Sequence, residues 1–213
     1  MKLFQKFPGC GAGPREFKSF IKNERKIKMH EAYVFLTDGF EEIEAITALD
    51  ILRRGGVSVM SVSLTGKRDV TGSHGICVRA NIIFDDIVAT EGAMLILPGG
   101  PGTANYKKHE LLLELLRLHN ATGGKIAAIC AAPTVLGMLG FLADKVAVCY
   151  PALKDSLKAA EFGQRAVVTD GNITTSKGPA TSAEFAFEIL RIIKGDREVA
   201  KVAEGMLAES VEK

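Results

Sequence analysis

Cys130 is the residue in this chain whose setting is most suited to covalent chemistry. The small and β-branched run Lys125–Ile129 leads straight into it, and Ala131, Ala132 and Pro133 then open an apolar stretch that ends near Leu139. Proline suits the first turn of a helix and is poor deeper inside, so Pro133 sets the helix start just after the cysteine. A thiol there sits on a sharp strand-to-helix turn, the geometry by which nucleophile elbows lift a side chain above a sheet. Backbone N–H groups at the helix start favour a thiolate, and the spacing predicts a lowered thiol pKa. The competing reading is a buried structural cysteine, the commoner fate of a free thiol.

A nucleophile needs a proton partner. Glu41, Glu42 and Glu44 crowd the start of the first helix. Glu41 and Glu42 read as acids that favour a helix N-terminus. Glu44, flanked by Ile43 and Ala45, can turn toward the strand ends, where a protonated carboxyl would donate to a thiolate. The stretch Leu97–Asn105, LPGGPGTAN, lacks both the GK[ST] ending and the GxGxxG spacing of phosphate loops. Gly99 and Gly100 instead let backbone approach the cysteine, and the N–H groups of Gly100 and Ala131 are candidates for an oxyanion hole. Of the four histidines, His30, His109 and His119 read as surface residues, and His74, in the loop GSHG, is the candidate to approach the site. No histidine follows Cys130, so a Cys–His proteolytic dyad is poorly supported.

These residues must be positioned by a scaffold. Strands are expected at Ala32–Leu36, Val57–Leu64, Ala93–Gly100, Lys125–Ile129, Val146–Cys149, Ala166–Thr169 and Ile173–Ser176, with a turn and short strands between Thr65 and Asn81. The first helix carries Ile43, Ile46, Leu49 and Leu52 on one face and ends at Gly55-Gly56; others follow at His109–Asn120, Ser182–Gly195 and Asp196–Glu209. Such alternation means crossover connections, hence an α/β fold with a mostly parallel sheet covered on both faces. Ligands of such sheets sit beyond the carboxyl ends of strands. TDGFEEIE, LPGG and Cys130 all fall at such ends.

With 213 residues the chain suits one domain with a large core. Residues 1–28 hold eight Lys/Arg and two acids, whereas the remainder holds 19 and 23. The mildly acidic body argues against a nucleic-acid partner. No apolar run approaches the roughly 20 residues of a membrane span, so no membrane partner is expected. The leader 1–28 is read as a poorly ordered tail or as translation from too early a start, with the domain at 29–213. Cys10, Cys77, Cys130 and Cys149 show no CxxC pairing, so neither a metal site nor a disulfide framework is expected, and reduced thiols in the cytoplasm are. Cys149 either lines the pocket beside Tyr150 or packs as a strand-end thiol.

Taken together, GFEEIEAITALDILRRGG, LPGG, AAICAAPTVLG and TTSKGPATSAEFAFEIL, in this order, resemble the ThiJ/PfpI superfamily over about residues 29–194. More narrowly they resemble the branch of the Parkinson-linked deglycase (DJ-one) and its bacterial relatives. The resemblance implies a flavodoxin-like three-layer sandwich, a homodimer, and an elbow cysteine bonded to a protonated glutamate. Cys130 and Glu44 stand at those two positions, and Gly100 and Ala131 where backbone amides line the pocket. It implies cofactor-free glyoxalase or protein-deglycase activity on methylglyoxal, glyoxal and their adducts. The alternatives are a redox-sensing or chaperone-like stress role and, with less support, an intracellular peptidase or amidase. Two departures are visible: Tyr150 stands where the human member has a histidine, and Lys177 replaces an arginine, keeping the charge but not the bidentate fork.

Overall fold

The computed structural model describes residues 30–87, 90–159 and 161–208. The expectations for residues 1–28 and for Cys10 lie outside the described residues. Strands are β1 (Ala32–Leu36), β2 (Val59–Ser63), β3 (Asp69–Thr71), β4 (Cys77–Arg79), β5 (Ile82–Ile83), β6 (Met94–Leu97), β7 (Ile126–Ile129), β8 (Val146–Ala147), β9 (Glu161–Phe162), β10 (Val167–Asp170) and β11 (Ile173–Ser176). Helices are α1 (Glu42–Arg54), α2 (Thr103–Tyr106), α3 (Glu110–Ala121), α4 (Pro133–Met138), α5 (Ser182–Lys194) and α6 (Asp196–Gly205).

Seven strands form one sheet in the order β10-β11-β7-β6-β1-β2-β5. All pairings in it are parallel except β10 with β11. The chain leaves β1 for β2 on one side and later returns to β6 on the other. The order therefore reverses between β1 and β6, where open α/β sheets form their ligand crevice.

Buried on both faces, β1 divides its side chains by the two-residue period of a strand. Ala32, Val34 and Leu36 join a core with α1, α5 and α6, while Tyr33 and Phe35 join a second core with α3 and α4. Cys130 belongs to the first core and Cys149 to the second, so the two thiols face opposite sides of the sheet. Cys149 is thus a packed thiol rather than a lining of any pocket at Cys130, and burial pushes it up to about 11. Cys77, Cys130 and Cys149 are all free.

The inward face of α1 differs from the expected one. Ile43 and Ile46 are 56% and 41% exposed, while Glu44, Ala45, Ala48, Leu49, Ile51 and Leu52 are buried. Glu44, Ala48 and Ile51 follow one another at helical spacing, so a carboxyl occupies a position on the core stripe. His119 is also buried rather than exposed: its Nε2 reaches the carbonyls of Ala93 (3.1 Å) and Lys125 (3.3 Å). Gly124 makes room for it, since a Cβ there would overlap the ring. Among the described residues no helix is long and apolar enough to cross a membrane.

Candidate active site

Register brings the pieces together. In the parallel pairing of β6 with β7, Leu97 stands opposite Ala128, so Gly99 and Cys130 leave the sheet side by side. On the other flank Val34 of β1 pairs with Ile96, which sets the Thr37–Glu41 loop beside the same glycines. Two hydrogen bonds knit these loops, Glu41 N–H to Gly99 O (3.1 Å) and Gly102 N–H to Gly39 O (2.8 Å), and Phe40 N–H to Thr37 O (3.0 Å) closes the turn within the first.

Cys130 has φ +63°, a left-handed conformation that costs a non-glycine residue roughly 1–2 kcal/mol. Neighbours hold it there. Its N–H donates to Ser176 O (2.9 Å) and its carbonyl accepts from Tyr150 N–H (2.8 Å). The elbow is present as the sequence implies, with Pro133 at the first position of α4. The N–H groups of Gly100 and Ala131 face the sulfur and favour its thiolate.

Glu44 is fully buried. Its Oε2 accepts from Gly99 N–H at 2.7 Å, and its own N–H donates to Glu41 Oε2 at 2.7 Å, so Glu41 caps the helix as anticipated. The carboxyl faces the Cys130 side chain, while Oε1 is buried without a hydrogen-bond acceptor or donor of its own. A proton on this carboxyl turns an orphaned acceptor into a donor. Burial pushes Glu44 up to about 7, against the Gly99 N–H and the Cys130 side chain, which pull it down.

The same surroundings correct the expected thiol. Burial first, then the facing Glu44 carboxylate, push Cys130 up to about 12, and the Gly100 and Ala131 N–H groups only partly oppose this. The helix start does favour a thiolate, but desolvation and a facing carboxylate outweigh it. The two groups behave as one unit: with the proton on Glu44 the like-charge opposition disappears and the two amides face a thiolate.

Glycine at 99 is required by proximity. A Cβ there would stand 2.7 Å from Cys130 Cβ and 2.9 Å from Glu44 Oε2. Gly100, at φ +87°, instead clears the neighbouring turn, where its Cβ would meet Gly39 O at 2.6 Å.

The remaining candidates fall further out. Tyr150 is 47% exposed with its ring near Gly178, and its backbone N–H binds the Cys130 carbonyl. Lys177 Nζ donates to Gln164 O at 2.7 Å, at the surface. The His74 ring, largely exposed, contacts Ser73 Oγ (3.1 Å) and Glu42 Oε2 (2.7 Å). Glu42 is therefore more than a helix-start acid. Although burial opposes it, the His74 ring, the His74 N–H and the Ser73 hydroxyl pull Glu42 down to about 2. This link joins residues 32 positions apart, and no motif in the sequence announces it.

With this geometry in view, comparison with known proteins is informative. The DJ-1/PfpI family model matches residues 30–192. Protein dj-1beta of Drosophila melanogaster is 38% identical over 179 residues, covering 83% of this chain and 96% of the relative. Its crystal structure superposes with a TM-score of 0.80 at 37% identity, over 85% of this chain and all of that one. The structure described as Toxoplasma gondii DJ-1, oxidized, gives a TM-score of 0.79 at 33% identity, over 85% of this chain and all of that one. A Caenorhabditis elegans relative named glutathione-independent glyoxalase DJR-1.2 is 35% identical over 159 residues, covering 73% of this chain and 83% of its own. Fold, order of motifs and length of match agree, and the chain belongs to the DJ-1/PfpI family.

Proposed function

We propose that the chain is a cysteine-dependent, cofactor-free glyoxalase that converts a small α-oxoaldehyde, methylglyoxal or glyoxal, to the hydroxy acid. The observation that carries this reading is the buried Cys130–Glu44 pair, with Glu44 Oε2 pinned by Gly99 N–H and Oε1 left without a partner. The relative named as a glutathione-independent glyoxalase supports it.

The chemistry follows from the pair. The thiol proton passes to Glu44, and the thiolate adds to the aldehyde carbon, forming a C–S bond. Gly100 and Ala131 N–H groups face the sulfur and stabilise the oxyanion that develops on the aldehyde oxygen beside it. That oxygen takes the proton from Glu44, giving a hemithioacetal. The Glu44 carboxylate then removes the C1 hydrogen as a proton, leaving an enediolate, and returns it to C2 while the proton on the C1 hydroxyl passes to the C2 oxygen, giving a thioester of the hydroxy acid. Water cleaves the C–S bond, releasing the acid and restoring the thiol. The aldehyde carbon is oxidised, the neighbouring carbonyl carbon is reduced, and the net reaction consumes only water. A carboxyl near pH 7 suits both directions of proton transfer. Adducts of the same oxoaldehydes on proteins are the related substrate class, and on this reading Cys130 and Glu44 would serve a deglycase in the same roles.

Lactate formation from methylglyoxal without glutathione tests the reading, with Cys130→Ser and Glu44→Gln beside the wild type. Turnover lost in both variants supports it; turnover equal in all three removes it. A second reading, a redox sensor, rests on the amides that face the sulfur and on the relative described as oxidized. In it peroxide oxidises the Cys130 thiolate in two steps to the sulfinate, releasing one water at each. Negligible turnover together with mass gain confined to Cys130 under mild peroxide would favour it.

A homodimer is part of the proposal. Ile43 and Ile46 on α1, and Ile76 beside the hairpin tip that grips Glu42, are exposed apolar residues in want of cover. Light scattering at micromolar concentration tests it, and a monomer mass contradicts it.

A further inference from the structure

The β3–β4 hairpin does not join the main sheet, yet its tip is bound tightly to the loop that begins α1. Thr71 O accepts from Gly39 N–H (2.8 Å), Thr71 N–H donates to Asp38 Oδ1 (3.0 Å), and Ser73 N–H donates to Phe40 O (2.8 Å). Glu42 then takes three donors from the same tip. They are His74 N–H (2.6 Å) on Oε1, and the Ser73 hydroxyl (3.1 Å) and His74 Nδ1 (2.7 Å) on Oε2. Gly72 lets the strand come this close, because a Cβ there would overlap the Glu42 carboxyl.

The grip lands on the turn that carries the candidate acid. Glu42 opens α1, Glu44 lies two residues on, and Glu41 between the loop and the helix ties Glu44 N–H to Gly99 O through its own side chain and N–H. Charged groups around His74 are Glu42 and, further off, Glu41, both from the start of α1. Most of the His74 ring is exposed, whereas the carboxyl it binds is buried. Three donors would be a large investment for an acid that only decorates a helix start, where a single cap from Glu41 already serves.

We propose that His74 is a positioning residue: with Ser73 it clasps Glu42, fixes the first turn of α1, and thereby holds the Glu44 carboxyl against Gly99 N–H and Cys130, so that the clasp sets the reactivity of a thiol it does not touch. This rests on the reading of Cys130 and Glu44 as a proton-sharing pair. A carboxyl misplaced by a fraction of an ångström no longer donates well to the sulfur, and the thiolate becomes scarcer at neutral pH.

The test needs no substrate. The rate of Cys130 alkylation by iodoacetamide is followed by peptide mass between pH 5.5 and 9. Wild type is compared with His74→Gln, His74→Arg, Glu42→Gln and Glu44→Gln, each checked for wild-type circular dichroism. The clasp predicts a roughly 5- to 10-fold slower alkylation at pH 7 and a midpoint moved to higher pH in Glu42→Gln and His74→Gln. His74→Arg, which can still donate to Glu42, stays within twofold of wild type. Wild-type profiles in Glu42→Gln and His74→Gln, with a shifted profile in Glu44→Gln, overturn the clasp and leave the pair intact. A wild-type profile in Glu44→Gln as well overturns the pair itself.

Discussion

The backbone N–H of Gly99 donates to Oε2 of Glu44 at 2.7 Å, joining residues 55 positions apart, and a Cβ on Gly99 would stand 2.7 Å from Cys130 Cβ. One glycine thus serves as donor to the acid and as clearance for the nucleophile. Alanine at 99 must push either side chain aside. The expected result for Gly99→Ala is a loss of about 100-fold in turnover, the scale of a displacement near 1 Å. An accompanying stability loss of about 1–3 kcal/mol follows from overpacking. Steady-state kinetics and urea unfolding measure the two; wild-type values in both would show that the contact is slack.

Glu44 makes a pH prediction with a definite sign. Its folded pKa, about 7, lies above the ordinary 4.5. Between those values the unfolded chain has released the proton and the folded chain keeps it, so stability falls as pH rises. Relative to Glu44→Gln, wild type should match most closely below pH 4.5 and lose ground until pH 7. The relative loss then levels at about 3 kcal/mol at most, taking about 1.36 kcal/mol per unit. Urea unfolding of both proteins from pH 4 to 8 checks it. A constant difference across that range would mean Glu44 titrates as an ordinary carboxyl.

The elbow itself is testable through an inversion of the usual order of substitutions. Alanine normally suits a protein better than glycine, but at φ +63° the left-handed conformation penalises any side chain. Cys130→Gly should therefore be about 1 kcal/mol more stable than Cys130→Ala. Calorimetry decides; the ordinary order would show that the backbone relaxes once the thiol is gone.

Much of this arrangement was legible in the sequence, for identifiable reasons. Strand β1 falls where its apolar run places it, because a strand buried on both faces reads as an unbroken apolar segment, and β11 falls where the β-branched run Ile173–Thr175 places it. Pro133 fixed the start of α4 and with it the elbow. The face of α1 was misread because Glu44 occupies a place on the buried stripe, so the apolar pattern pointed to Ile43 and Ile46 instead. The second strand came out shorter than Val57–Leu64, and β5, β9 and α2, at two to four residues, are too short for periodicity to mark. The clasp of Glu42 by Ser73 and His74 depends on where a hairpin lands, which local pattern does not carry. His119 reads as an ordinary helix residue unless one knows that Gly124 leaves space for its ring.

That histidine supplies a prediction at the far end of the sheet. Burial, against its two carbonyl contacts, holds His119 below its ordinary value. The neutral ring's contribution is present above about pH 6.5 and is lost as pH falls through the depressed folded value. Wild type should lose stability relative to His119→Gln on acidification from pH 7 to 5. Gly124→Ala, which expels the ring and takes its contact from the Ala93 carbonyl while Lys125 O keeps the Leu95 N–H, should cost about 1–3 kcal/mol at pH 7.5. Urea midpoints give both numbers, and pH-independent differences would mean the ring is hydrated.

The central claim is that Cys130 bonds to the aldehyde carbon while Glu44 moves the proton. Acid-quenching the protein during methylglyoxal turnover and mapping the adduct by peptide mass tests it most directly. The account predicts an adduct on the Cys130 peptide that disappears as substrate is consumed, is absent in Cys130→Ser, and accumulates in Glu44→Gln because proton transfer stalls. Undiminished lactate formation by Cys130→Ser, with no adduct at position 130 in wild type, would contradict it.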